Sequence, residues 1–248
     1  MSVPVFFQDD IQGVVREQMK TIGLIGGMSW ESTIGYYRKI NQGVKNTLGG
    51  LHSAKILLHS VDFAPIEQLQ RSGNWAGAAE ILVDAAKSLE SAGADFVLIC
   101  TNTMHKVAPE IEENLSIPLL HIADATGEEL VKDGIRKVGL LGTAFTMEQS
   151  FYKDRLSEKY GLEVVVPGEQ DRKRVHDIIY HELCLGNINA VSRDEYIHIV
   201  HELELAGVDA VILGCTEIGM LISQEHAGIP LYDTTAIHAA KAVEWAIP

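Results

Sequence analysis

Two short stretches hold the residue types that could carry out proton-transfer chemistry. "LICTNTMH" occupies 98–105 and "LGCTE" occupies 213–217. Each begins apolar and ends in a polar turn. A cysteine at such a seam could act as base or nucleophile, because a thiolate takes protons readily once its pKa is depressed. The two stretches are copies of one another. "AGADFVLICTNT" (92–103) lies over "AGVDAVILGCTE" (206–217) at a constant offset of 114. Cys100 pairs with Gly214, Thr101 with Cys215, Asn102 with Thr216 and Thr103 with Glu217. The slot that opens each polar turn therefore holds Thr101 in one half and Cys215 in the other. Cys100 falls one place earlier, as the last residue of an apolar strand, and is expected to be an inert core thiol. Cys215 stands at a strand end that opens a helix, whose N-terminus is expected to lower the thiol pKa.

Other constellations are weaker. "GLIGGMS" (23–29) is a glycine turn after a strand, expected to let backbone approach backbone and to bring Met28 and Ser29 to a cleft. It lacks the spacing of a dinucleotide fingerprint or a phosphate loop. "DFAPIEQLQRSGNW" (62–75) reads as a loop that could close over that cleft, with Gln70 and Arg71 placed to touch a ligand's distal group. His105 follows the first polar turn and could reach the cleft or be a satisfied helix histidine. The ten histidines, including His176, His181, His198 and His201, form no His-Glu-x-x-His and complete no four-ligand set, so no metal site is expected. Cys215 has no evident His-plus-acid partners for acyl transfer.

These turns need elements to hold them. Near-continuous apolar runs at 20–25, 54–59, 95–100, 117–121, 136–141, 162–166, 208–213 and 229–232 predict strands of parallel sheets covered on both faces. Helical patterns at 31–46, 75–92, 105–114, 124–132, 147–160, 171–185, 192–206 and 234–246 separate them, which gives an α/β fold. "SAGAD" (91–95) and "LAGVD" (205–209) predict helix C-caps with a left-handed glycine. A second match, "TIGLIGGMSWESTIGYY" (21–37) over "KVGLLGTAFTMEQSFYK" (137–153), runs at offset 116 and aligns Tyr36 with Tyr152. Two pseudo-symmetric α/β domains follow, each a parallel sheet flanked by helices. Ligands of open parallel sheets sit beyond the strands' carboxyl ends. Facing halves thus place the turns 26–29, 101–103, 142–146 and 215–217 around one cleft, with Thr143 among its candidate binding residues.

Composition bounds the function. A chain of 248 residues, 46% of them hydrophobic, can bury a sizeable core, and no apolar run approaches the ~20 residues of a membrane span. The net charge of −14 argues against nucleic acid as a partner. It also means that an anionic ligand must be held by local donors. Three cysteines in no framework spacing fit reduced thiols in the cytoplasm. Residues 1–18 do not read as a secretory signal. With Met19 directly before the first strong strand, they read as an N-terminal extension.

Gly-Gly-Met after the first strand, Asn-Thr-x-His in the first polar turn and Gly-Cys-Thr-Glu in the second resemble the aspartate/glutamate racemase family in order and spacing. The likeness covers essentially all of 19–248. It implies a pyridoxal-phosphate-independent enzyme with no cofactor, acting on a small acidic amino acid and forming a homodimer. It also implies two α/β domains, 19–118 plus 233–248 and 119–232, with the last helix returning to the first. Family members usually set one cysteine on each side of the cleft to shuttle the α-proton. This chain departs at the first, where Thr101 stands. By resemblance, Cys215 removes the proton from L-glutamate or L-aspartate, and Thr101, directly or through water, reprotonates the other face. Asn102, Thr103, Thr216 and Glu217 would then hold the α-carboxylate and amino group, the carboxylate helped by helix N-termini. A relative with one effective cysteine, such as a malonate decarboxylase or maleate isomerase, and a non-catalytic binder of acidic metabolites stand as alternatives.

Overall fold

The computed structural model describes residues 19–248; the predicted extension at 1–18 lies outside the described residues. In chain order the elements are β1 (Ile22–Gly26), α1 (Trp30–Leu48), β2 (Ile56–Ser60), α2 (Phe63–Ser72), α3 (Trp75–Ser91), β3 (Phe96–Ile99), α4 (Ala108–Glu113) and α5 (Ile122–Lys132). They continue with β4 (Lys137–Gly142), α6 (Ala144–Glu148), α7 (Ser150–Tyr160), β5 (Glu163–Val165), α8 (Glu169–His181), α9 (Ala190–Leu205), β6 (Ala210–Gly214), α10 (Ile218–Leu221), β7 (Leu231–Asp233) and α11 (Thr234–Ala246). Two all-parallel sheets result, ordered β2-β1-β3 and β5-β4-β6-β7.

The two orders are the same arrangement with one strand more in the second half. The predicted strand at 117–121 is the missing equivalent, reduced to a single bridge between Val97 and Leu119. Val97 N–H donates to the Pro118 carbonyl and Leu120 N–H to the Val97 carbonyl. Pro118 has no N–H to extend the ladder, and His121 already caps α5 by accepting from the Ala123 N–H at 3.1 Å.

Side-chain alternation along the first sheet divides its core in two. Ile25, Val97 and Ile99 pack with α3 on one face, while Ile22, Leu24, Phe96, Leu98 and Cys100 pack with α1 and α11 on the other. The last helix therefore closes the first half's core. Cys100 is 1% exposed in that layer, and burial pushes its thiol pKa up. Tyr36 and Tyr152, aligned by the repeat, are both fully buried. Gly93 and Gly207 hold φ of +96° and +79° at the predicted caps, a region L side chains avoid.

Several predicted elements change shape. Residues 62–75 are helix α2 rather than a loop: Asp62 caps it by accepting from the Ala64 N–H. The helix predicted at 147–160 is broken at Gln149, whose extended backbone separates α6 from α7. The one at 171–185 ends at His181, and a 3₁₀ turn over 183–185 carries Cys184. At 105–114 a 3₁₀ turn over 103–107 precedes α4. Among the described residues, no helix is long and apolar enough to cross a membrane.

Behind the first polar turn lie three buried histidines, His105, His121 and His238, with ring centroids 4.5 Å apart for His105–His121 and 5.9 Å for His105–His238. His238 shares a hydrogen bond with the Tyr36 hydroxyl at 2.8 Å through Nδ1 and bonds the Leu120 carbonyl through Nε2 at 2.9 Å. Burial holds the pKa of His238 down at about 4, and burial together with their neighbours lowers the other two. An unfolded histidine titrates near 6.5. Below that pH the unfolded chain binds protons that the native chain refuses. The stability contributed by neutral His238 is thus complete above about 6.5 and is lost as pH falls towards 4, by about 3 kcal/mol at most. Denaturant midpoints measured from pH 7 to 4 should therefore fall less steeply for His238→Gln than for the unaltered chain.

Candidate active site

Four strand ends face one cavity. At the end of β1, Gly27 (φ +96°) turns so tightly that a Cβ would stand 2.2 Å from the Val61 carbonyl oxygen. Met28 then lines the cavity, and Ser29 caps α1 by accepting from the Ser32 N–H. At the ends of β4 and β6 the backbones nearly touch. A Cβ on Gly142 would lie 2.8 Å from the Gly214 carbonyl oxygen, and one on Gly214 would lie 2.7 Å from that of Leu141. That proximity explains why position 214 is glycine where its repeat partner is Cys100. It also sets Thr143 and Cys215 side by side around the cavity with Thr101, Asn102 and Thr103.

The cavity is bounded by groups that join the halves. Thr103 and Thr143 hydroxyls lie 2.9 Å apart. Asn102 donates through Nδ2 to Thr234 at 3.0 Å, the Thr234 hydroxyl donates in turn to the Leu213 carbonyl of β6 at 2.9 Å, and the buried Asn102 Oδ1 has no partner. The Tyr180 hydroxyl of α8 donates to Gln70 Oε1 of α2 at 3.1 Å.

Glu217 is the centre of the polar network. It is 2% exposed, and four donors converge on its carboxylate. Ser29 donates to Oε1 at 2.7 Å and the Cys184 thiol to the same oxygen at 3.8 Å. Thr216 donates to Oε2 at 2.6 Å and the Cys215 thiol at 3.0 Å. Burial, then the Glu217 charge and Cys184, push the Cys215 thiol well above its ordinary pKa. This corrects the expectation that a helix N-terminus depresses it: the helix after Cys215, α10, has four residues and begins three positions later. Of the helices expected to help hold a carboxylate, α1, capped by Ser29, is long, whereas the first polar turn leads into only a five-residue 3₁₀ turn. Hydroxyls of Thr101, Thr103 and Thr143 are the donors at hand.

Of the sequence candidates, Met28, Gln70, Thr101, Asn102, Thr103, Thr143, Cys215 and Glu217 line the cavity. Ser29 and Thr216 stand one layer back and hold Glu217. Arg71 points outward, its side chain 79% exposed and paired with Glu67 at 2.6 Å. His105 does not line the cavity. Its Nδ1 bonds the Thr101 carbonyl at 2.8 Å, and its Nε2 accepts from the Ile122 N–H at 3.2 Å. Phe63, Ile179, Tyr180 and Cys184 were not singled out from the sequence. Phe63 falls in the stretch read as a loop, and Ile179 and Tyr180 read as ordinary apolar helix positions. Cys184 had only its residue type as a signal. Among the described residues, no cluster of His, Cys, Asp and Glu is arranged to hold a metal ion.

Residues 25–242 match the family described as Asp/Glu/Hydantoin racemase. The chain belongs to that family. Membership makes it an enzyme of the racemase class. A crystal structure of a candidate Asp/Glu racemase from Yersinia pestis shares 58% identity over 93% of this chain and 100% of that one, with a TM-score of 0.86. An aspartate racemase homologue from Pyrococcus horikoshii OT3 shares 37% over 92% and 99%, with a TM-score of 0.80. The Bacillus subtilis broad specificity amino-acid racemase RacX is 26% identical over 163 residues, 65% of this chain and 69% of that protein.

The Glu217 charge beside Cys215 has a measurable effect. Glu217→Gln should move the pH profile of Cys215 alkylation to lower pH by about one unit or more, since a like charge at hydrogen-bond distance disfavours the thiolate. Iodoacetamide kinetics followed by peptide mass spectrometry would read it, and a profile that stays in place would remove Glu217 from control of the thiol.

Proposed function

We propose that this chain racemises an amino acid at its α-carbon, with Cys215 and Thr101 serving opposite faces of the substrate. One observation carries the reading: the equivalent slots of the two half-repeats, Thr101 and Cys215, line the same cavity. Racemisation requires a base on one face and an acid on the other.

The surrounding groups support a sequence of steps. The substrate's α-ammonium sits near Glu217 and the unpartnered Asn102 Oδ1, where it offsets the negative charge that holds Cys215 protonated. The thiol proton passes along its hydrogen bond to Glu217, leaving a thiolate. That thiolate takes the α-proton of the L-isomer. The carbon regains a proton on the other face from the Thr101 hydroxyl, directly or through water, while Thr103 and Thr143 donate to the substrate carboxylate; as product leaves, Glu217 returns its proton to water and water restores the Thr101 hydroxyl, which closes the cycle. His105 fixes the Thr101 carbonyl and so positions this residue. L-glutamate and L-aspartate are the substrates that the resemblance points to.

Enantiomers have equal free energies in water, so kcat/KM must be equal in the two directions. A hydroxyl opposite a thiol can make kcat and KM unequal between directions and slow both, but cannot make the enzyme one-way. Cys215→Ser should lower racemisation by about 100-fold or more, in line with the loss of a general base. Thr101→Ala should keep deuterium exchange at Cα of the L-isomer while inversion falls by a similar factor. Proton NMR in deuterium oxide with chiral chromatography measures both, and undiminished racemisation by Cys215→Ser would refute the reading.

A further inference from the structure

Helix α1 carries more apolar surface than its place in the fold uses. Tyr36, Ile40 and Val44 bury its inner side in the first half's core. Trp30, Ile34 and Tyr37 follow one another at helical spacing on another side, and they are 59%, 46% and 56% exposed. The 3₁₀ turn after α8 leads to the start of this stripe. A Cβ on Gly186 would stand 2.9 Å from the Glu31 carboxylate, and Leu185 and Ile188, to either side of that glycine, are exposed as well. A contiguous apolar patch rich in large aromatics marks a contact surface rather than a solvated face. Trp30 directly follows Ser29 and Leu185 directly follows Cys184, so the patch backs onto two of the Glu217 donors.

The charges around the stripe match the stripe itself. Glu31 and Arg38 stand seven residues apart, two turns along nearly the same side of the helix, which is about 10 Å. Among the described residues, neither forms an ion pair. Midway between them lies Gly35, a poor helix former, with no atom within 4 Å of where a Cβ would stand. A second α1 laid antiparallel on the first, about a twofold axis between Ile34 and Gly35, brings Glu31 of each protomer to Arg38 of its partner. Ile34 of each then lies over Gly35 of the other, where the missing Cβ lets the helices approach closely. A twofold contact makes each of these pairs twice.

We propose that this face of α1 binds a second copy of the chain, antiparallel about that axis, with Leu185 and Ile188 at the rim. The proposal stands on the surface alone and is independent of the racemase reading. Sedimentation of the full chain should show a dimer. Ile34→Glu and Trp30→Ala should each raise its dissociation constant by about tenfold or more. Glu31→Lys and Arg38→Glu should each weaken it by about as much. The two reversals combined should restore it to within about threefold of the unaltered chain, because opposite charges meet again across the axis. Ile34→Cys, beside the axis, should give a covalent dimer on mild oxidation, which the unaltered chain with its three free thiols should not. Circular dichroism of each variant separates a folding defect from a lost contact. A chain that stays monomeric at about 100 μM, or a dimer that Ile34→Glu leaves intact, overturns the proposal. A combined charge reversal that associates no better than either single variant overturns the antiparallel pairing.

Discussion

Burying the Glu217 carboxylate without a cation forces hydrogen-bond donors to converge on it from both halves of the chain. Ser29 comes from the end of β1, Thr216 and Cys215 from the end of β6, and Cys184 from the 3₁₀ turn after α8. A buried anion left without these donors would be strongly destabilising. The turns must therefore end where they do, and the two sheets must face each other. The same constraint bears on the proposed chemistry, because one of the four donors is the thiol that the racemase reading uses as base.

Burial and the neighbouring carboxylate hold Cys215 as a thiol. On the racemase reading proposed above, a substrate ammonium would supply the missing positive charge, and binding energy would be converted into base strength with the α-proton within reach, a use of differential stabilisation rather than of tight ground-state binding. The cross-half contacts, Thr103 with Thr143, Thr234 with Leu213 and Gln70 with Tyr180, are individually ordinary hydrogen bonds. Together they can reform around a substrate and exclude water.

Much of the fold was legible because parallel strands buried on both faces leave continuous apolar runs, and because the chain repeats itself. The register of 114 placed Cys100 at the end of a strand; it stands one residue past β3, its N–H still donating to the Ile25 carbonyl, and shares a face with Phe96 and Leu98 in the layer under α1 and α11. Local geometry was harder to read. The stretch 62–75 carries a capping Asp62 and a C-terminal Gly73, yet its polar composition suggests a loop. The run at 117–121 has strand character, but Pro118 interrupts its ladder and His121 turns the chain into a helix.

The sequence by itself determined the two-fold α/β plan, the pairing of Thr101 with Cys215, and the cluster of turns around one cleft. These depend on residue type and spacing along the chain, which periodicity and repetition expose. Only the tertiary structure decided the electrostatics. Cys215 is raised rather than depressed because burial, and then the Glu217 carboxylate 3.0 Å away, disfavour the thiolate. Arg71 is excluded from the cavity, while Gln70, Tyr180 and Cys184 are brought into it. Neighbours on one helix differ in direction by about 100°, and the side that faces the cleft is set by how α2 and α8 pack across the two halves.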